Sequence, residues 1–182
     1  HRRSSAASDV YKRQEVAQQA STGGRRAISL TTEVEPFHSV AVRLGRDYIQ
    51  FSLYNLGGKE LVSEYHEFFY TTQEDLVDGL TSHLKSFIQS NQTVINQLIA
   101  IGVALPGLVN PETGVVEYMP NISIDNLALA ELIENTFHVQ CFVGNDVRGM
   151  ALAEHYFGAS KDCQDSILVS VHRGTCLLYT SD

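Results

Sequence analysis

The 182-residue chain has no tryptophan, only two methionines and only three cysteines. Cys141, Cys163 and Cys176 show no C-x-x-C spacing. They therefore make neither a disulfide framework nor a zinc cluster, and such sparse use suits a reducing compartment. No stretch reaches the roughly 18 consecutive apolar residues of a membrane helix. The polar, basic start lacks the apolar segment of a secretory signal. These absences point to a cytoplasmic protein with no membrane partner. Basic residues are also scarce: 13 against 21 acidic ones, for a formal net charge of −8. Residues 1–14 carry +3 and residues 176–182 carry −1, which leaves −10 on the body between them. So acidic a body excludes a broad nucleic-acid-binding face. Any DNA contact must come from a small local basic feature, and Arg25-Arg26 on a Gly-rich stretch is the candidate. Paired arginines on an extended strand can enter a narrow, electronegative minor groove. The same composition also describes a solvated linker.

What is present starts and ends oddly. His1 to Gln14 (HRRSSAASDVYKRQ) has neither helical nor strand period, and Cys176 to Asp182 (CLLYTSD) breaks off abruptly. Both resemble translated sequencing-adaptor read-through and are set aside from fold reasoning as non-native tails. The native part is then expected to run from Glu15 to Thr175, as a fragment truncated at both ends. Residues 15–36, with Ser21-Thr22-Gly23-Gly24-Arg25-Arg26, read as a linker.

The body has clear periodicities. His38–Leu44 and Tyr48–Tyr54 alternate as strands, and in the second Ile49, Phe51 and Leu53 share the apolar face. Asn55-Leu56-Gly57-Gly58-Lys59 is a turn into a third strand, Glu60–Phe69, so the sheet starts as an antiparallel meander. The Gly-Gly-Lys is not a phosphate loop, because it lacks the G-x-x-x-x-G-K-[ST] frame and precedes a strand. Leu76, Leu80, Leu84 and Ile88 recur at i+4 in a helix over Thr72–Gln89, capped by Thr71 or Thr72, with Glu74-Asp75 at its positive end. Leu98–Leu105 is a near-continuous apolar run, as expected of a parallel strand buried on both faces. A hairpin over Val109–Tyr118 turns at Asn110-Pro111-Glu112-Thr113-Gly114. Asn126–Phe137 reads as a second helix, Val139–Val143 as a strand, Asp146–Phe157 as a third helix closed by Gly158, and Ser166–Val171 as a last strand. The expected fold is α/β, β-β-β-α-β-α-β-α-β, one mixed sheet with helices on its faces. The last strand is expected to be an unpaired edge.

Within this order Asn145-Asp146 falls where a strand ends and a helix begins. Ligands bind there in open α/β sheets. A carboxylate can accept a hydroxyl proton, and an amide can both donate to and accept from a polyhydroxylated ligand. Asn and Asp are also the preferred first residues of helices, so the pair taken alone reads as a cap before it reads as a site.

Three segments carry a resemblance that decides between these readings. Ile101–Gly114 (IGVALPGLVNPETG), Met119-Pro120-Asn121-Ile122, and Asn145-Asp146 with Ala151–Ser160 (ALAEHYFGAS) are similar to the sugar-site signatures of the repressor–kinase (ROK) family. The resemblance covers Glu15 to Thr175. It implies an actin-like, ribonuclease-H-like fold of two lobes around a cleft. Residues 37–165 would form the first, small lobe and 166–175 the start of the second. Gly107, Asn121, Asn145 and Asp146 would line the sugar pocket. In kinases of the family the Asp matching Asp146 is the general base.

The linker string and Leu152–Thr175 resemble the family's amino-sugar-responsive repressors. That implies an inducer such as N-acetylglucosamine 6-phosphate, for which Asp146 would serve as a hydrogen-bond acceptor. It also implies operator DNA contacted through a winged helix upstream of residue 15 and through Arg25 and Arg26, and a homo-oligomer when intact. An E-x-G-H sugar motif and a cysteine-rich zinc loop would lie beyond Thr175, so no metal or other cofactor is assigned here. One departure is telling. Family kinases carry D-x-G-G-T at the end of the first strand, where small residues let backbone amides approach phosphate beside Mg²⁺. This chain has Arg43-Leu44-Gly45-Arg46-Asp47 there, which argues against phosphoryl transfer and leaves no catalytic residue to assign. The alternative remains a sugar kinase using Asp146 as base. Cys141 and His155 read as structural residues.

Overall fold

The computed structural model describes residues 13–18, 28–32, 34–161, 163–171 and 175–181. Two short strands, β1 (Arg13–Gln18) and β2 (Ile28–Thr32), pair antiparallel in the stretch read as a linker. Arg25 and Arg26 lie outside the described residues.

The body is built on a five-stranded sheet. β3 (Phe37–Leu44), β4 (Tyr48–Asn55) and β5 (Glu60–Glu67) form the expected meander. Helix α1 (Gln73–Ser90) then carries the chain across to β6 (Gln97–Leu105), which pairs parallel to β3. A small sheet follows, of β7 (Leu108–Val109), β8 (Val115–Tyr118) and β9 (Leu127–Ala128). Helix α2 (Leu129–Phe137) leads into β10 (Gln140–Asn145), parallel to β6, and α3 (Asp146–Phe157) follows directly. The order across the main sheet is β10-β6-β3-β4-β5. The tight turns of the meander fix its antiparallel half, and the helical crossovers fix its parallel half.

The core lies on one face. Val40, Val42 and Leu44 of β3, Ile49, Phe51 and Leu53 of β4, and Ile101, Val103 and Leu105 of β6 are buried together with Leu76, Leu80, Leu84 and Phe87 of α1 and Leu129 and Ile133 of α2. Phe51 stacks on Phe87 with ring centroids 5.3 Å apart. Thr72 caps α1 in a full capping box. Its hydroxyl accepts from the Asp75 amide, and the Asp75 carboxylate accepts from the Thr72 amide in return.

Four expectations need correction. β6 is not buried on both faces: Ile101, Val103 and Leu105 point into the core, while Gly102 and Ala104 alternate onto a half-covered opposite face. α1 and α2 pack on the core side alone, and the run looks continuous only because small apolar residues fill the other positions. The second helix starts at Leu129 rather than Asn126, because Leu127 and Ala128 pair with Val116 and Val115 of β8. The last strand is neither in the main sheet nor unpaired. β11 (Asp165–Val171) pairs antiparallel along its length with β12 (Thr175–Ser181), which the sequence reading set aside as tail. Gly158 does close α3, through its amide to the Glu154 carbonyl at 2.9 Å, but with extended backbone rather than a left-handed turn.

Candidate functional site

The ends of β6 and β10 converge. Asn145 is the last residue of β10 and the cap of α3: its side-chain oxygen accepts from the Arg148 amide at 3.0 Å. Its side-chain nitrogen donates to the Gly107 carbonyl at 2.9 Å, just past the end of β6. One amide therefore performs both tasks, helix cap and tie between neighbouring strand ends. Asp146 follows, half-buried at the start of α3, and its Oδ1 accepts from the Val147 amide at 2.9 Å. A carboxylate at a helix N-terminus is favoured there by the macrodipole and can accept from ligand hydroxyls.

Gly107 has a backbone that only glycine adopts readily, with φ +156°. A Cβ on it would collide with the Tyr118 carbonyl oxygen and crowd the Met119 side chain. The chain packs that closely because Met119 and Ile122 form an isolated bridge around Pro120-Asn121, with Asn121 in the left-handed region at φ +71°. Gly107, Asn121, Asn145 and Asp146 thus belong to one set of adjoining loops at the carboxyl ends of the parallel strands.

The structure adds a residue to this set. Arg46, in the turn between β3 and β4, donates from Nη2 to the Asn121 side-chain oxygen at 3.0 Å. The turn that carries it is closely held. The Gly45 amide donates to the Tyr48 carbonyl at 2.8 Å, and the Tyr70 hydroxyl donates to the Gly45 carbonyl at 2.9 Å. Burial raises the Tyr70 phenol above its ordinary range, opposed by the positive charge of Arg46 and reinforced by Asp47. Sequence reasoning marked Arg46 as a bulky replacement but not its bond to Asn121, since 75 positions separate the two residues.

A groove of about 620 Å³ opens on the sheet face opposite the core. Ala41, Gly102, Ala104 and Phe142 form its floor, and Met150 and Leu152 of α3 form one wall. Asn145 and Asp146 stand at its lining too, whereas Gly107 and Asn121 do not. Tyr54 and Glu60 also line it, joined by a 2.8 Å hydrogen bond from the phenol to the carboxylate. Burial, then that bond, raises the Tyr54 phenol. Only the alternation of small residues on β6 hinted at this groove.

Cys141 is buried in the core, and burial pushes its thiol up to about 12. His155 packs edge-on against Tyr156, away from the loops just described. Among the described residues no three His, Cys, Asp or Glu side chains are grouped to hold a metal ion. No helix among them is long and apolar enough to cross a membrane.

Comparison with known proteins agrees with this architecture. The chain is 53% identical over 161 residues to the DNA-binding transcriptional dual regulator NagC of Escherichia coli strain K12, covering 88% of this chain and 40% of the relative. It superimposes with a TM-score of 0.81, at 34% identity, on the crystal structure of a ROK family transcriptional regulator described as a homologue of E. coli Mlc, covering 85% of this chain and 39% of that one. A ROK family glucokinase from Streptomyces griseus, solved with glucose and AMPPNP, shares the fold at a TM-score of 0.67 and 21% identity, over 79% of this chain and 44% of that one. The chain thus spans about two-fifths of the length of the regulators it matches. The ROK family model matches residues 39–177, from the first strand of the main sheet into β12, and the chain belongs to the ROK family.

Proposed function

We propose that this chain is the effector-binding lobe, with its DNA-proximal linker, of a cytoplasmic sugar-responsive transcriptional repressor, and that its inducer is an amino-sugar phosphate, N-acetylglucosamine 6-phosphate. The observation that carries the reading is the 53% identity to NagC over nearly the whole chain. The β3–β4 turn supports it. Arg46 occupies the place where a kinase of the family needs small residues, and it is already hydrogen-bonded across to Asn121.

In this reading Gly107, Asn121, Asn145 and Asp146 hold the sugar. Asp146 accepts from its hydroxyls, since a phosphorylated oxygen has no proton to lose. Residues 37–165 make the small lobe, and β11 opens the second, consistent with its absence from the main sheet. Arg25 and Arg26 assist DNA binding beside an upstream winged helix. The inducer biases how the lobes pack, and through them the spacing of two winged helices in a homo-oligomer. In this reading a zinc-binding cysteine loop lies downstream of Thr175, and no metal is assigned to the residues above.

One test is operator binding by the full-length protein with and without N-acetylglucosamine 6-phosphate. Release of DNA by the sugar phosphate is expected, and equal binding in both conditions refutes the reading. A second reading, a sugar kinase with Asp146 as base, is favoured only by the presence of that carboxylate at the start of α3 and by the fold shared with the glucokinase. ATP consumption with a hexose or N-acetylhexosamine, lost in Asp146→Asn, would establish it.

A further inference from the structure

We infer that Glu134 holds shut one edge of the main sheet, and that without it β10 would pair with β10 of a second copy of this chain.

An edge strand turns a row of amides and carbonyls away from its one neighbour, and these can template another strand. Among the described residues the main sheet has two such edges, β5 and β10. They are protected differently. β5 (ELVSEYHE) carries Glu60, Glu64 and Glu67, so two copies set edge to edge would bring carboxylates together. β10 (QCFVGN) has no charged residue and no proline. A short uncharged strand with Phe142 and Val143 at its centre is the kind of segment that self-pairs when its edge is open. Phe142 is 60% exposed, so packing does not hide the strand.

The protection comes from the helix before it. The Cys141 amide donates to Oε1 of Glu134 at 2.8 Å. In a parallel pair, alternate residues of a strand turn their amides and carbonyls towards the partner, and the others turn theirs away. An amide taken by a side chain of α2 is one of those turned away from β6, where an added strand would be held. Glu134, half-buried, therefore stands in the place of a carbonyl from a sixth strand. Helix α2 does not need the carboxylate for itself. Glu134 lies in its last turn, where the macrodipole favours cations. That turn is closed by backbone instead: the His138 amide donates to the Glu134 carbonyl at 2.8 Å. The main chain of Glu134 closes the helix while its side chain closes the sheet. A carboxylate binds an amide more strongly than a carbonyl does. An incoming strand would have to displace the stronger acceptor and bury the displaced charge against the new interface.

The test compares wild type, Glu134→Ala and Glu134→Gln of the 182-residue chain. It reads hydrogen exchange at the Cys141 amide in dilute and in concentrated solution, with sedimentation alongside. In wild type, and in Glu134→Gln with its acceptor oxygen kept, the rate is expected to be independent of concentration. In Glu134→Ala it should fall by about tenfold on concentration, as the freed amide finds a carbonyl of a second copy, and a dimer should sediment. Adding Phe142→Lys to Glu134→Ala puts a charge on the strand itself and should abolish both changes. If Glu134 only steadies the connection between α2 and β10, Glu134→Ala will exchange Cys141 faster at every concentration without forming a dimer, which overturns the inference. Protection in wild type that depends on concentration as strongly as in Glu134→Ala overturns it too. Glu134→Asp, whose shorter side chain reaches the amide poorly, replaces Glu134→Ala should that variant fail to fold. A rate independent of concentration in Glu134→Asp would then refute the inference equally.

Discussion

The side chain of Asn145 joins the end of one parallel strand to the end of the next by donating to the Gly107 carbonyl, while it caps the helix that begins at Asp146. Removing it leaves the Arg148 amide without its cap and the Gly107 carbonyl without its donor. Asn145→Ala should cost about 1–2 kcal/mol of stability. Asn145→Asp should recover the cap but not the tie. Urea midpoints of the three proteins, ordered wild type, Asp, Ala, are the expected outcome. An Asp variant as stable as wild type would show that the tie to Gly107 contributes little.

Gly107→Ala should be worse than its size suggests. The added methyl meets the Tyr118 carbonyl, a backbone group that cannot swing aside, at a φ that disfavours any side chain. A loss of about 1–3 kcal/mol follows from the strain. Gly102→Ala has open space at the corresponding atom and serves as the control. Equal melting temperatures for the two variants would contradict the geometry.

Acid should loosen the start of α1. Hydrogen bonds from the side chain and amide of Thr71 and from Thr72 lower the Asp75 carboxyl below its ordinary 3.8. Because the folded value lies below the unfolded one, the stabilisation is fully present above the ordinary carboxylate range and disappears as pH falls through the folded value. The urea-midpoint gap between wild type and Asp75→Asn should therefore be widest near neutrality and close in acid. A gap independent of pH would remove the carboxylate from the account. Thr72→Ala, which deletes the other half of the box, should cost about 1 kcal/mol.

Cys163 and Cys141 should differ in reactivity. Cys163 is exposed, whereas Cys141 lies in the core with its thiol held up at about 12. At pH 8 an alkylating reagent should modify Cys163 in the native protein and Cys141 only after denaturation, as read by peptide mass spectrometry. Rapid native modification of Cys141 would mean that β10 detaches readily from β6.

Much of this fold was legible because the signals are local. The strict alternation of Tyr48–Tyr54 placed Ile49, Phe51 and Leu53 in the core, the i+4 leucines located α1, and Thr72 announced its cap. Asn145-Asp146 fell at the strand–helix junction as expected. What failed was non-local. Leu127 and Ala128 look helical in sequence and are claimed by β8. The half-open face of β6 depends on which elements pack where, and an apolar run does not record that. The partner of β11 lay in residues discarded for looking foreign. The Arg46–Asn121 bond had no sequence signal at all, because it joins two loops that meet only once the sheet has formed.

The register of the main sheet also orders its assembly in time. Leu44 faces Ile49 across the β3–β4 turn, five positions away, whereas Ser39 faces Ala100, 61 positions away. Closing the longer loop costs about 2 kcal/mol more chain entropy than closing the shorter. Contacts of such different range favour the meander as the early structure, onto which β6 and then β10 dock. The arginine-bearing turn is thus made first and the Asn145 tie last. The groove exists only in chains that have completed the slow, parallel half of the sheet, so a partly folded molecule carries the Arg46 turn before the loops of Gly107 and Asn121 are in place.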